Sequence, residues 1–206
     1  MNLKQVQFDN YIREEHPKNQ VYLHHTAGGP KGEGVFGWWA KTPERVATCV
    51  AISNNGTIVQ GYSSKYWAYH LGLKERFFSA HNLPYKSLDK TSIGIEICNY
   101  GFLTESNGTF YNYVGGIHTD ICELDTPYKG HKYWQNYTDA QIESTRELLV
   151  LWRDRYGIDL TYHEDIWDVT DRALKGEAGV FTHNSVRKDK ADIYPHPKMI
   201  EMLKSL

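Results

Sequence analysis

Two adjacent histidines, His24 and His25, end an apolar run in the stretch VYLHHTAGGP. The imidazole side chain is a common metal ligand and general base. The run predicts a strand over Val21–His25, and neighbouring side chains of a strand point to opposite faces. The two histidines therefore cannot easily bind the same ion, and the pattern alone leaves open which of them is a ligand. The glycines that follow indicate a turn, because they match neither the P-loop nor the dinucleotide-binding spacing.

A carboxylate, Glu96, lies in the middle of a second predicted strand, TSIGIEICNYG. Isoleucines at 93, 95 and 97 alternate with small residues, so one strand face is aliphatic and the other surrounds a single carboxylate. Burying an unpaired carboxylate costs several kcal/mol unless it is protonated or lies near a cation. Glu96 therefore lies either on an exposed sheet face or in a functional site.

A third group of candidate residues lies near the C-terminus, in GVFTHNSVRKDKADIYPHP. His183 ends a short β-like run, and Lys190 and Asp192 follow it in a K-x-D arrangement. Lys190 has a second interpretation, as one solvated charge of the run RKDK. His163 has acidic neighbours in YHEDIWD, but its position predicts a helix-capping role rather than a metal ligand.

The elements that must position these side chains follow from local patterns. Asn55-Gly56 lies between two β-rich runs and predicts a hairpin within VATCVAISNNGTIVQGY. Thr138, with a glutamine three residues later, predicts the start of a helix that Gly157 ends. HEDIWDVTDRALKG and HPKMIEMLKSL predict two shorter helices. The aromatic-rich residues 101–137 are predicted to be a long, irregular loop region.

Composition limits the class of protein. The chain has 206 residues, of which 40% are hydrophobic, and a formal net charge of −2. These values predict one globular domain without the basic excess of a nucleic-acid-binding protein. Strands that alternate loosely with helices predict a mixed α/β or α+β domain with a central sheet, and we expect the mixed α/β form with helices flanking the sheet. Three widely spaced cysteines predict reduced, buried thiols rather than disulfides or a cysteine metal site.

The N-terminal stretch MNLKQVQFDNYIREEH is polar and lacks the apolar segment of a signal peptide. No stretch of the chain approaches the length needed to span a membrane. We therefore expect a protein made in the cytoplasm, without a signal peptide and without membrane insertion.

Four motifs, LHHTAG, AYHLG, SIGIE and H…K-x-D…P, occur in this order along the chain. Together they resemble the type 2 N-acetylmuramoyl-L-alanine amidases. This family of zinc enzymes includes bacterial muropeptide amidases, phage endolysins and peptidoglycan recognition proteins. The resemblance covers about residues 20–200. It implies the fold of that family, as a single domain over residues 1–206 with a core of about 20–204.

The resemblance also implies a role for each matching residue. His24, His183 and Asp192 match the ligands of one zinc ion per chain. Glu96 matches the catalytic acid of the SIGIE strand, and Lys190 matches the lysine two residues before the last ligand. Two histidines and one carboxylate leave a fourth tetrahedral position for water, as in catalytic zinc sites.

The resemblance extends to the substrate groove, where His70 matches a histidine that lines it in relatives. We also expect Tyr69, Trp67, Thr26 and Asn99 to contact the substrate. Trp67 and Tyr69 either pack on sugar or peptide or belong to the core. Two departures from the family stand out. The chain reads DIYPHP where many relatives read D-P-G-P, and the tyrosine that assists catalysis in some phage members falls near Thr48. No catalytic tyrosine is therefore assigned.

The implied reaction hydrolyses the amide that joins the lactyl group of N-acetylmuramic acid to L-alanine in peptidoglycan or muropeptides. The favoured setting is a monomeric, phage-type endolysin that degrades the cell wall after release. Two alternatives remain open: a zinc-free module that only recognises peptidoglycan, and a cytosolic amidase that recycles soluble muropeptides.

Overall fold

The computed structural model describes all residues 1–206, which form eleven strands and six α-helices. The strands are β1 Leu3–Gln5, β2 Gln20–His25, β3 Val50–Ile52, β4 Ile58–Gln60, β5 Ser92–Ile97, β6 Phe102–Ser106, β7 Thr109–Tyr111, β8 Ile117–His118, β9 Ile121–Tyr128, β10 His131–Gln135 and β11 Gly179–Thr182. The helices are α1 Gly32–Trp39, α2 Glu75–Ser79, α3 Leu88–Thr91, α4 Asp139–Tyr156, α5 Asp171–Lys175 and α6 Pro197–Lys204. Short 3₁₀ turns occupy Glu164–Trp167 and His183–Ser185.

A six-stranded mixed sheet is the centre of the fold, with the strand order β1-β4-β3-β5-β2-β11. β3, β5, β2 and β11 are parallel neighbours, and β3 pairs antiparallel with β4 across the hairpin predicted at Asn55-Gly56. All six residues of β2 are buried, as expected for a parallel strand covered on both faces. The mixed α/β fold and the strands predicted at both catalytic motifs are confirmed.

Residues 102–135 form a second, antiparallel sheet with the strand order β8-β7-β6-β10-β9. The prediction of an irregular loop here was wrong. Tight turns join the strands: Asn107 and Gly108 both have positive φ, as do Lys129 and Gly130. Such left-handed pairs match the right-handed twist of a hairpin.

The helix predicted after Thr138 is confirmed as α4. The Thr138 hydroxyl accepts a hydrogen bond from the Gln141 main-chain N–H, and the Gln141 side-chain oxygen accepts one from the Thr138 main-chain N–H. Gly157 ends the helix with φ of 70°, a left-handed conformation that favours glycine. This capping box and C-terminal glycine fix both ends of the longest helix.

The stretch HEDIWDVTDRALKG forms a 3₁₀ turn and α5 instead of one helix. The chain is extended at Asp168 and Thr170, and the Thr170 hydroxyl caps α5. His163 occupies the residue before the 3₁₀ turn, but its side chain makes no capping hydrogen bond. The three cysteines are free and buried, as predicted. None of the helices is both long and apolar enough to cross a bilayer.

Candidate metal centre and cleft

The register of the parallel strands brings three functional side chains to one sheet face. His24 of β2 pairs with Glu96 of β5, and paired residues of neighbouring strands project to the same side. Thr182, the last residue of β11, pairs with Leu23. His183 therefore follows β11 at the level of His24.

Three potential ligand atoms converge at this place. His24 Nδ1 lies 3.1 Å from His183 Nδ1 and 3.2 Å from Asp192 Oδ2. His183 Nδ1 lies 2.9 Å from the same carboxylate oxygen. Both imidazoles are buried, and the Asp192 side chain is 17% exposed. His24, His183 and Asp192 thus form a compact group that can hold one metal ion.

The protonation of these groups fits a bound cation. His183 Nε2 lies 3.0 Å from the Leu71 carbonyl oxygen. A carbonyl only accepts hydrogen bonds, so a neutral His183 carries its proton on Nε2 and presents a lone pair at Nδ1. Burial lowers the pKa of His24 to about 4, which leaves that ring neutral at pH 7. Two nitrogen atoms and one carboxylate oxygen are ligands that zinc accepts.

Glu96 and Lys190 line the same cleft as the three ligands. Burial raises the pKa of Glu96 well above its ordinary value, the Asp192 charge raises it further, and Lys190 opposes both. The Lys190 side chain is half-buried, whereas Lys188 is exposed. The structure therefore brings all five predicted catalytic and metal-binding residues together at the base of one cleft.

The cleft has a volume of about 1150 Å³ and aromatic walls. Trp38 of α1 lines one part, and Tyr100, Phe102 and Tyr113 of the second-sheet segment line another. Trp38 and Tyr113 are 63% and 61% exposed. The Tyr113 hydroxyl donates a hydrogen bond of 2.7 Å to the carbonyl of Ala27, in the loop that follows the two histidines. The sequence signals this wall only as an aromatic-rich segment, because nothing in its spacing places it near His24.

The residues predicted to contact substrate lie in several places. Thr26 lines the cleft, and its hydroxyl accepts two main-chain hydrogen bonds of 3.1 Å that shape the turn. Asn99 is buried outside the cleft, where its amide donates to two main-chain carbonyls. Trp67 is buried and Tyr69 is exposed, and neither lines the cleft. Substrate contacts by these last three residues stay predictions.

His70 does line the cleft, but both of its ring nitrogen atoms have partners. Nδ1 lies 3.0 Å from His24 Nε2, and Nε2 lies 2.9 Å from Ser92 Oγ. Thr48 lines the cleft where some relatives have a tyrosine, and its hydroxyl donates to the Val50 carbonyl. The ring nitrogen atoms of His70 therefore face His24 and Ser92, and neither is left free to contact a substrate in the cleft.

The family model for N-acetylmuramoyl-L-alanine amidase matches residues 14–197. The chain belongs to this family. Its fold resembles that of PlyL (TM-score 0.57, 12% identity, 99% of this chain and 98% of that chain). It also resembles an AmpD derivative (TM-score 0.53, 16% identity, 98% and 94%) and the "endolysine" amidase LysCS from Clostridium intestinale URNW (TM-score 0.51, 12% identity, 98% and 93%). No curated protein matches the sequence.

Every predicted catalytic and metal-binding residue of this amidase lies within the matched range. The type 2 amidase family inferred from the four motifs is confirmed. The mixed α/β fold of that family is confirmed by the structural matches.

Proposed function

We propose that this amidase depends on zinc and hydrolyses the amide between the lactyl group of N-acetylmuramic acid and L-alanine in peptidoglycan. The observation that carries the proposal is the convergence of His24 Nδ1, His183 Nδ1 and Asp192 Oδ2 at 2.9–3.2 Å. These atoms lie at the base of an open cleft beside a carboxylate with a raised pKa. Membership of the amidase family supports the proposed hydrolysis, and the set of two imidazole nitrogen atoms and one carboxylate oxygen supports zinc as the metal.

Zinc held by His24, His183 and Asp192 would supply a Lewis acid for the amide carbonyl and the attacking water. Glu96 accepts a proton from that water as its oxygen bonds to the carbonyl carbon, and then gives the proton to the leaving amine nitrogen as the C–N bond breaks. The raised pKa of Glu96 suits both steps, because such a carboxylate is a stronger base and its acid form persists closer to neutral pH.

Lys190 is the cationic group of the proposed mechanism. Its side chain lines the cleft with Glu96 and the ligands, and no carboxylate forms an ion pair with its ammonium group within 4.0 Å. An unpaired ammonium group can stabilise the oxyanion of the tetrahedral intermediate, an interaction worth on the order of 3–4 kcal/mol for one well-placed donor. Lys190 therefore contributes mainly in the transition state.

The shape of the cleft supports a substrate larger than a single amino acid. Its volume of about 1150 Å³ lies above the usual range for small-molecule pockets, roughly 300–1,000 Å³. The exposed rings of Trp38 and Tyr113 offer apolar faces with a polar edge at Tyr113, which suits a sugar or a stem peptide.

We propose that the amidase acts on the cell wall in the manner of an endolysin. One chain supplies every ligand, the base and the cation, so the proposed site functions in a monomer. The complete catalytic set favours an enzyme over a module that only recognises peptidoglycan.

Purified sacculi and soluble muropeptides, offered as separate substrates, distinguish wall degradation from muropeptide recycling. Faster turnover of sacculi is expected, and turnover of soluble fragments alone would favour recycling.

Metal analysis of the purified protein tests the zinc proposal. We expect one zinc ion per chain, near-complete loss of zinc in His24→Ala, and retention in His25→Ala, because His25 pairs with Ile97 on the opposite sheet face. Zinc retained in His24→Ala but lost in His25→Ala would show that the ligand was assigned to the wrong face. Circular dichroism verifies the folding of both variants.

Mass spectrometry of digested peptidoglycan tests the reaction itself. We expect released peptides with L-alanine at their free amino end and glycan strands with unsubstituted lactyl groups. Cleavage of a glycosidic bond, or of a bond within the stem peptide, would contradict the proposal.

A further inference from the structure

The dipeptide His70–Leu71 contacts both histidine ligands. The His70 ring lies 3.0 Å from His24 Nε2, and the Leu71 carbonyl oxygen lies 3.0 Å from His183 Nε2. The ligands follow or belong to two different strands, β2 and β11, whereas the dipeptide lies outside both sheets. One short segment thus borders the outer nitrogen atoms of both rings.

The Leu88 carbonyl fixes the direction of every hydrogen bond in the chain that runs from Ser92 through His70 to His24. The Ser92 hydroxyl donates its only hydrogen to the Leu88 carbonyl at 2.7 Å, so it must accept from His70 Nε2 at 2.9 Å. A neutral His70 then has a lone pair at Nδ1, which accepts from His24 Nε2 at 3.0 Å. The remaining lone pair of His24 is at Nδ1, directed at the metal centre.

The His183 side has a shorter connection. The Leu71 carbonyl accepts from His183 Nε2 and leaves the Nδ1 lone pair directed at the same centre. A buried carboxylate holds the dipeptide in place, because Asp89 Oδ1 accepts the main-chain N–H of His70 at 2.8 Å and that of Leu71 at 2.9 Å. Each ligand is thus backed by a chain of contacts, called an arm below. The arm behind His24 ends at Ser92, and the arm behind His183 ends at Asp89.

The strand beneath the dipeptide leaves room for the His70 ring. A methyl group built on Gly94 would lie 3.1 Å from His70 Nδ1 and 2.5 Å from Thr48 Cγ2. A side chain at this position would press against the nitrogen atom that accepts from His24. Gly94 thus permits the close approach on which the first arm depends.

We propose that Ser92 and Asp89 act through His70–Leu71 as positioning residues that set the tautomer of both metal ligands. The proposal rests on the zinc site proposed above. It assigns His70 to the orientation of His24 rather than to substrate. Outer partners of this kind typically change metal affinity by about 10–100-fold when they are removed.

Zinc affinity, measured by competition with a chelator, tests the serine arm. Ser92→Ala should weaken zinc binding by about 10–100-fold, and Ser92→Thr, which keeps the hydroxyl, should restore most of it. Ser144→Ala is the matched control, because Ser144 is also buried and donates a 2.7 Å hydrogen bond to a carbonyl, that of Gly56, far from the site. Equal affinities of Ser92→Ala and Ser144→Ala would overturn the proposal.

Nitrogen NMR of the metal-free protein at neutral pH supplies a test that needs no variant. We expect the ring proton of His24 and that of His183 on Nε2, and a mixture of tautomers at His24 in Ser92→Ala. A proton on Nδ1 of His24 in the unsubstituted protein would overturn the proposal. Failure of the unsubstituted protein to bind zinc would instead contradict the proposed zinc dependence, while the tautomers still report on the positioning arms.

Discussion

Replacement of Glu96 by glutamine separates its role in catalysis from its role in stability. The carboxylate lines the cleft and its pKa reflects only burial and neighbouring charges, without a hydrogen-bond partner. The amide in Glu96→Gln has nearly the same shape and loses no hydrogen bond. We therefore expect the fold and the metal ligands to be retained. Loss of a general acid–base lowers the rate by about 10²–10⁴-fold, or about 3–5 kcal/mol of barrier.

The same substitution should stabilise the metal-free protein. Burial, with the Asp192 charge, raises the pKa of Glu96 in the folded state above its ordinary value of 4.5. The folded state then binds more protons than the unfolded state, so the contribution of this carboxyl to stability falls as pH rises from the ordinary value through the raised one. Glutamine does not titrate. Glu96→Gln should therefore be less active than the unsubstituted protein but more stable at pH 8.

Two measurements check this combination. Release of peptide from purified muropeptides gives the rate, and urea unfolding of the metal-free proteins at pH 5 and pH 8 gives the free energy of unfolding. Glu201→Gln, an exposed position on α6, serves as the control and should alter neither quantity appreciably. Near-normal turnover by Glu96→Gln would remove this residue from the mechanism. A variant less stable than the parent at pH 8 would show that the carboxylate is stabilised by a partner.

Three further substitutions probe the other parts of the cleft. Lys190→Met should lower kcat by about 10²–10³-fold with little change in KM, while Lys188→Met should change kcat/KM by less than about threefold; equal, small effects would exclude the oxyanion role. Gly94→Ala should weaken zinc binding in a calorimetric titration, because its methyl group would lie 2.5 Å from the nearest side-chain carbon. Gly101→Ala crowds His25 on the opposite sheet face, so it should lower stability and leave zinc affinity unchanged. Equal zinc affinities of Gly94→Ala and Gly101→Ala would contradict this reasoning. Tyr113→Ala should raise KM for muropeptides about three- to tenfold, through loss of about 0.5–1.5 kcal/mol of ring contact; an unchanged KM in steady-state kinetics would exclude the ring from substrate binding.

Local patterns predicted the strands of the site but not their arrangement. Alternation in β5 placed Glu96 on a face of small residues, and alternation in β2 separated His24 from His25. That β2 lies between β5 and β11 depends on contacts distant in sequence, which no short pattern encodes. The choice of His24 over His25 therefore came from the family resemblance, and the strand register now provides a physical reason for it.

The second sheet was missed although its turns carry a recognised signal. Asn107-Gly108 is the same dipeptide type as Asn55-Gly56, which correctly predicted the first hairpin. The flanking strands differ in burial: β3 is wholly buried, whereas β7 is only half-buried. Short strands with half-buried faces lack the apolar alternation that marks a strand in sequence. The link from Ser92 to His70 was missed for another reason, because 22 residues separate its partners.

The second sheet leaves and rejoins the central fold at one place. Phe102 pairs with Trp134, and the Gln135 main-chain N–H donates to the Gly101 carbonyl at 2.9 Å. The intervening chain is thus a closed excursion that begins and ends at this hydrogen-bonded neck, and the Tyr113 and Tyr128 hydroxyls tie it to the rest of the fold by bonds to the carbonyls of Ala27 and Trp167. No strand of the excursion pairs with β2, β5 or β11, so an excursion of another length or with other tips leaves the pairing of these three strands unchanged. Substrate preference and bond-breaking chemistry can therefore diverge at independent rates in descendants of this enzyme.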